Sequence, residues 1–171
     1  MARFKQVGNK ADTAFIVVRN SLAVDIPLGA PVFFVMNGTN DGVDVVNAVT
    51  AAGAKQGFFA GITGGVLAAG QYGEAQVFGI CNKTRVATFT RAASTDSYVS
   101  MTAIVLGDVM AINTLTDANA ISRSAAGAAT ALCPNIIAVE AYTSTASQSS
   151  SFDTTSRTVI TTYIKTFLRA M

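Results

Sequence analysis

The sequence predicts a mainly β fold built as a compact β-barrel or β-sandwich-like unit, and three observations support this prediction. Short runs rich in Val, Ile, Phe and Thr recur along the chain, with glycines between them. Half of the 171 residues are hydrophobic, which is enough for a core, and only 13% are charged, about half the usual share. A single Ala-rich stretch, residues 116–132, predicts a short helix, although Gly127 weakens it.

In chain order, the strand candidates divide the chain into three parts. Residues 1–13 are polar and basic-leaning, which predicts an extended N-terminal arm. Residues 14–90 form the first β-unit, and residues 91–171 form a second β-unit or an insertion that contains a Ser/Thr-rich loop at 143–158 and a C-terminal strand. The predicted strands are residues 14–18, 32–36, 43–49, 58–62, 74–80, 84–90, 98–106, 109–112, 136–142 and 158–168.

Turn signals separate these strands. Residues 27–31 read Pro-Leu-Gly-Ala-Pro, and residues 37–42 read Asn-Gly-Thr-Asn-Asp-Gly. Residues 67–73 read Leu-Ala-Ala-Gly-Gln-Tyr-Gly, and Gly107-Asp108 interrupts the second half. Strands bounded in this way place successive side chains on opposite faces, so Phe33-Phe34 and Phe58-Phe59 each direct one ring to either face. The second ring of each pair is then under another layer or at a subunit interface.

The two halves of the chain share a short pattern. A shift of 78 residues places residues 26–29 on residues 104–107, where both read Ile-x-Leu-Gly. The same shift places Phe58-Phe59-Ala60 on Ile136-Ile137-Ala138. Two related β-units would explain the pattern, and so would chance, because the matches are few.

The residues needed for common catalytic sites are missing. The chain has no histidine, which excludes Ser-His-Asp and Cys-His arrangements. Serine-nucleophile and phosphate-loop motifs are also absent. Cys81 and Cys133 lack metal-ligand spacing, which favours buried thiols over a single disulfide. Asp41 and Asp44 resemble the start of a calcium loop, but Ala48 stands where the bidentate glutamate is required, so a solvated turn is favoured. We therefore expect no catalytic residue, metal or cofactor.

The charge pattern limits the classes of partner. The net charge is +2 and the basic residues are scattered, so nucleic acid is not an expected partner. No apolar run approaches the roughly 20 residues that span a membrane. A surface with so few charges favours contact with copies of the chain or with another protein.

One segment carries a resemblance to a known family. Residues 57–63 read Gly-Phe-Phe-Ala-Gly-Ile-Thr, and residues 67–81 read Leu-Ala-Ala-Gly-Gln-Tyr-Gly-Glu-Ala-Gln-Val-Phe-Gly-Ile-Cys. This segment resembles the capsid decoration proteins of tailed bacteriophages, also called cement or head-stabilising proteins. Residues 26–34 are similar to the entry into the same β-unit, and residues 164–171 are similar to endings of phage head proteins.

The resemblance implies a β-tulip-like structural protein without enzymatic activity. It implies a location in the virion, on the outer capsid surface, after synthesis in the host cytoplasm. The partner would be the major capsid protein, and the chain would sit on it as a homotrimer. The implied capsid contacts lie in the N-terminal arm and are Arg3, Phe4, Lys5 and Lys10. The glycines of the implied fold signature are Gly29, Gly57, Gly61, Gly70, Gly73 and Gly79.

Three alternatives remain at this stage. Another phage structural subunit, such as a tail-tube or head-completion protein, fits the low charge and β content equally well. The basic arm also fits a solubilising tail. A glycosidase-like enzyme would need a carboxylate pair, and Glu74 and Glu140 are the only glutamates; we consider this the weakest of the three.

Overall fold

The computed structural model describes residues 4–6, 13–35, 42–47, 58–90, 103–112, 119–123, 132–143 and 158–169. Regular structure in these residues is β-strand, apart from one 3-10 residue at Phe58. The strands are β1 Phe4–Gln6, β2 Thr13–Asn20, β3 Pro31–Phe34, β4 Asp44–Asn47, β5 Phe59–Thr63, β6 Tyr72–Thr90, β7 Ala103–Ile104, β8 Val109–Ile112, β9 Ile121–Arg123, β10 Leu132–Ala138, β11 Tyr142–Thr143 and β12 Thr158–Arg169. The prediction of a mainly β fold is therefore confirmed.

The long strand β6 organises the sheet. Ten strands form one sheet in the order β1-β2-β4-β3-β5-β6-β12-β10-β8-β9, and β7 pairs with β11 separately. Two further pairings, β2 with β6 and β6 with β9, bring each half of the sheet back to β6. The hydrogen bonds thus close two circuits of five strands. The first circuit is β2-β4-β3-β5-β6, and the second circuit is β6-β9-β8-β10-β12.

The two circuits have the same pairing pattern. In the first circuit, β2 and β4 are parallel and the other four pairs are antiparallel. In the second circuit, β6 and β9 are parallel and the other four pairs are antiparallel. In each circuit the parallel pair joins the first and third strands in chain order. Strand β6 therefore ends one circuit and begins the next.

Individual hydrogen bonds match between the circuits as well. Gly29 N donates to Thr63 O at 3.0 Å, and Gly107 N donates to Ala138 O at 2.8 Å. The return bonds match too, because Thr63 N donates to Ala30 O and Ala138 N donates to the oxygen of the residue after Gly107. Gly29 thus corresponds to Gly107, in agreement with the 78-residue shift seen in the sequence. Ala138 corresponds to Thr63, whereas that shift places it on Ala60.

Each circuit contributes to its own buried cluster. The first cluster contains Ile16, Val18, Ile26, Ala30, Val32, Val45, Ala60, Leu67, Ala75 and Val77. The second contains Cys81, Val86, Ile104, Met110, Ile121, Ile136, Ala138, Ile164 and Leu168, together with Phe33, Val46, Phe59 and Ile62 from the first circuit. Strands β3, β4 and β5 are therefore buried on both faces. One face lines the first cluster, and the other packs into the second.

A bulge in β5 explains why two of its side chains reach the second cluster. The β3–β5 register shifts between Val32 and Phe33, and Gly61 has φ 145°. The extra residue places Phe59 and Ile62 on one side, although they are three residues apart. The rings of Phe33 and Phe59 meet edge to face at 5.7 Å.

Several sequence predictions are confirmed, and others are wrong. Strand β8 coincides with the predicted 109–112, and β12 runs one residue past the predicted end. The predicted helix is not found in the described part of residues 116–132, because residues 121–123 form β9. Non-local pairing of β9 with β6 and β8 overrides the local Ala-rich helix propensity there. The two predicted strands at 74–80 and 84–90 are one strand, because β12 pairs along most of its length.

Some predictions lie outside the described residues. The turn at 37–41 and nearly all of the Ser/Thr-rich loop are among them, as are Gly57, Arg3 and Lys10. Cys81 is a buried free thiol, as expected, whereas the side chain of Cys133 is outside the described set.

Candidate interaction surfaces

The partly buried ion pair between Arg19 and Asp44 joins β2 to β4. Arg19 Nε donates to Asp44 Oδ1 at 2.6 Å, and Arg19 Nη2 donates to Asp44 Oδ2 at 2.7 Å. This bidentate geometry occupies both carboxylate oxygens. Asp44 therefore stabilises the single parallel pairing of the first circuit. The solvated turn favoured from the sequence is wrong at this residue, because Asp44 is buried in β4.

Two buried polar side chains hold loops of the first circuit. Asn20 Nδ2 donates to the carbonyl oxygens of Val24 and Leu67, and Asn20 Oδ1 accepts from Leu22 N. Thr63 Oγ1 donates to the carbonyl oxygen at position 27 and accepts from the amide at position 30. Both side chains bond main-chain groups in the loops between strands, and so their role is structural.

The second circuit contains a buried hydroxyl pair. Thr84 Oγ1 and Thr166 Oγ1 are 2.5 Å apart, and neither residue is exposed. Across the described residues, every buried side-chain nitrogen or oxygen has a hydrogen-bond partner. Among the described residues, no group of three or more His, Cys, Asp or Glu side chains is placed to hold a metal ion. The buried polar side chains of the described residues thus hold strands and loops together.

The exposed glutamates are separated by the fold. Glu74 lies on β6 in the first circuit, whereas Glu140 follows β10 in the second. Glu140 Oε2 accepts a hydrogen bond from Lys165 N at 2.9 Å. The two glutamates considered for a glycosidase-like Asp/Glu pair thus lie in different circuits.

The signature glycines occupy turns and close approaches. Gly29 and Gly70 have φ near 76° and 70°, which L-residues with a side chain rarely adopt. A Cβ on Gly61 would lie 2.5 Å from Gln76 O, and one on Gly73 would lie 2.7 Å from Leu67 Cδ1. Gly79, with φ 92°, is buried in β6 where the two circuits meet. These five glycines therefore meet conformational and packing requirements of the fold.

Residues 4–6, which lie within the arm predicted from the sequence, form an edge strand. Strand β1 pairs antiparallel with β2, and Phe4 is opposite Ile16 and Lys5 opposite Phe15. Among the described strands, β1 pairs with β2 alone. Of the four predicted capsid contacts, the structure therefore places the main chains of Phe4 and Lys5 on one edge of the sheet.

A row of apolar side chains crosses the outer face of the second circuit. Val109, Ile137, Phe167 and Ile80 are successive cross-strand neighbours on β8, β10, β12 and β6. Val109 is 38% exposed, Ile137 36% and Ile80 51%. Phe167 is half-buried and meets Phe78 edge to face at 5.7 Å. We call Val109, Ile137, Phe167 and Ile80 the outer row.

The outer row is not evident from the sequence. Its members belong to four strands far apart in the chain, so only the pairing register brings them together. The sequence signal for it is a departure from the alternation of apolar and polar residues. Ile136-Ile137-Ala138 and the run from Tyr163 to Phe167 place apolar residues on both faces of a strand.

A second exposed surface lies at one end of the first circuit. Val24 and Val66 flank the isolated bridge between Ile26 and Leu67, and they are among the most exposed apolar residues described. Asp25 accepts a hydrogen bond from Ala69 N in the same place. This end of the circuit therefore combines exposed apolar side chains with one carboxylate, that of Asp25.

No protein-family model, curated protein or solved structure matches this chain. No helix in the described residues is long and apolar enough to cross a membrane.

Proposed function

We propose that this chain is a structural virion protein that binds the outer surface of a bacteriophage head and clamps neighbouring major capsid proteins. The observation that carries the proposal is the segment of residues 57–81. Its sequence resembles the decoration-protein signature, and its described part forms β5, a glycine turn and the first half of β6. The buried polar groups described above hold strands together, which supports a structural role over a catalytic one.

We also infer that the two circuits are two copies of one β-barrel-like unit. The shared order of parallel and antiparallel pairs supports a duplication, as do the matched turns at Gly29 and Gly107. Residues 91–171 then belong to a second β-unit rather than to an insertion. The two copies share β6 instead of being joined by a linker.

The N-terminal arm is the proposed contact with the major capsid protein. Strand β1 lies at the edge of the sheet, and an edge strand accepts a further strand through main-chain hydrogen bonds. Arg3, Lys5 and Lys10 add positive charge that steers association with an acidic surface. On the head, the chain would act as a homotrimer, as in the proteins it resembles.

The test is binding to expanded heads that lack the protein. We expect the full chain to sediment with the heads and to raise their disruption temperature. A chain without residues 1–6 should bind at least about tenfold more weakly, since removing an edge strand removes its main-chain bonds. The matched control is a chain with Arg3, Lys5 and Lys10 changed to serine, which keeps the main chain and should lose affinity mainly at low salt.

Failure of the full chain to bind or protect heads would overturn the proposal. Rings or tubes that form without capsid protein, seen by electron microscopy, would instead favour a tail-tube or head-completion subunit.

A further inference from the structure

We propose that the outer row and the cations beside it form a docking surface for an acidic protein surface that also carries apolar side chains. The inference rests on the proposed head binding, in which that partner is the major capsid protein. It adds a second contact to the one proposed for the N-terminal arm. Its basis is the exposure of the row, the charges beside it and its position next to β1.

Three cations lie beside the outer row on the same side of the sheet. On β12, Lys165 and Arg169 are exposed on either side of Phe167, and the residues between them are buried. The β6–β12 register shifts next to Lys165, and this places the exposed Lys83 of β6 beside it. We call the outer row together with Lys83, Lys165 and Arg169 the basic face.

The fold alone does not explain this arrangement of charge. Like charges at neighbouring cross-strand positions are destabilising, and Lys83 and Lys165 are such a pair. Two carboxylates lie nearby and are held by main-chain groups: Asp108 accepts from Val105 N, and Glu140 accepts from Lys165 N. Within the described residues, no side-chain hydrogen bond or ion pair involves the three cations of the basic face. Their charges are therefore available to a partner.

The basic face continues across the sheet to the N-terminal arm. Phe78 of β6 lies opposite Arg169 of β12 on one side and opposite Ala14 of β2 on the other. Ala14 in turn lies opposite Gln6 of β1. The main chain of β1 is thus two strands away from Phe78, roughly 10 Å at the usual strand spacing. One partner surface can therefore contact both the arm and the basic face.

The chemistry of the face favours a protein over a nucleic acid or a second copy of the chain. Single-stranded nucleic acid stacks its bases on open aromatic rings, whereas Phe167 is half-buried with its ring against Phe78. The exposed members of the outer row are aliphatic, as in the apolar centre of protein interfaces. Two basic faces packed on each other would bring like charges together, which is unfavourable.

The first experiment tests the face without heads. Fluorescence anisotropy measures binding of the full chain to three labelled probes: a copolymer of glutamate and tyrosine, polyglutamate, and an oligothymidylate of similar charge. We expect the copolymer to bind at least about tenfold more tightly than the other two, because it offers carboxylates and apolar groups together. Ile137→Ser should weaken copolymer binding at least about tenfold. Phe58→Ser is the matched control, since Phe58 is 39% exposed but outside the basic face.

Three results would overturn the proposal. The first is a copolymer that does not bind, or that binds equally well to the Ile137→Ser and Phe58→Ser chains. The second is tighter binding of the oligothymidylate, which would assign the face to nucleic acid. The third is self-association in sedimentation velocity that Ile137→Ser abolishes, which would assign the face to a second copy.

The second experiment measures binding to expanded heads that lack the protein, using two variants of equal net charge. One carries Lys165→Gln and Arg169→Gln, which removes two positive charges from the basic face. The other carries Ala23→Glu and Ala68→Glu, which lowers the net charge equally at exposed positions of the first circuit. The first variant should bind heads at least about tenfold more weakly than the second. Far-UV circular dichroism verifies that both are folded.

The outcomes separate this inference from the proposed function. If the wild-type chain binds the copolymer through the basic face and does not bind heads, head binding is refuted and the docking surface stands. If the wild-type chain binds heads and the two charge variants bind them equally well, head binding stands and the basic face is not a contact.

Discussion

Replacing Gly29 by alanine tests how the turn at residues 27–30 is held against β6. Gly29 has φ 76°, its carbonyl oxygen accepts a hydrogen bond from Arg85 N at 2.8 Å, and its amide donates to Thr63 O. An added Cβ would overlap Lys83 O and lie 3.0 Å from Arg85 N. All of these neighbours are main-chain atoms, so β6 or the turn must move.

The equivalent position in the second circuit provides the control. Gly107 has φ 90°, and nothing lies within 4 Å of a Cβ added there. Alanine at Gly107 therefore carries only the left-handed strain, about 1–2 kcal/mol. At Gly29 the same strain is joined by overpacking, about 1–3 kcal/mol, and by a weakened hydrogen bond, about 1 kcal/mol. The expected loss in unfolding free energy is then about 3–6 kcal/mol for Gly29→Ala and about 1–2 kcal/mol for Gly107→Ala.

Urea unfolding followed by far-UV circular dichroism measures the difference. The midpoint of Gly29→Ala should fall well below that of Gly107→Ala, and a Gly70→Ala chain should behave like Gly107→Ala because its added Cβ also meets open space. Equal midpoints for Gly29→Ala and Gly107→Ala would refute the close approach of the turn to β6.

Three further predictions concern polar contacts and the arm. Thr84→Val or Thr166→Val alone should lower the unfolding free energy by about 1–3 kcal/mol, because one hydroxyl is left without its partner. In thermal unfolding the double variant should lose less than the sum of the two single losses, and additive losses would argue against the hydroxyl pair. A double-mutant cycle of Arg19→Leu and Asp44→Asn should give a coupling energy of about 1–2 kcal/mol. This is less than the coupling energy of a fully buried pair, because the Arg19 side chain is 42% exposed. No coupling would mean that the ion pair does not hold β2 to β4. A chain lacking residues 1–6 should keep most of its stability, since β1 contributes a short edge pairing; loss of cooperative unfolding would show that β1 belongs to the folded core.

The sequence predicts single strands well and their partners poorly. Strand β8 and the start of β12 follow directly from β-branched and alternating runs. The sequence predicts two strands at 74–80 and 84–90, whereas β6 is continuous between them and pairs with β12 through a register shift. Residues 121–123 show the opposite error, since an Ala-rich context predicts a helix and the pairing of Ile121 with Val86 makes a strand.

The closed circuits could not be predicted, because they depend on pairings between distant strands. The clue available in the sequence was the repeated Ile-x-Leu-Gly at residues 26–29 and 104–107. It marks matched turns, and the glycine in each has a positive φ. The alignment fails at β10 because the spacing between turn and strand differs in the two circuits. The predicted contacts in the arm rest on the resemblance alone, since no physical pattern in the arm identifies a partner.

The central claim is that this chain decorates the outside of a phage head. Its most direct test is an electron cryo-microscopy map of purified heads, lacking the protein, after incubation with it. We expect added density on the outer surface at repeated positions between neighbouring capsid proteins, with the N-terminal arm along the shell. A shell without added density, or density confined to the tail or to the vertex where the tail attaches, would contradict it.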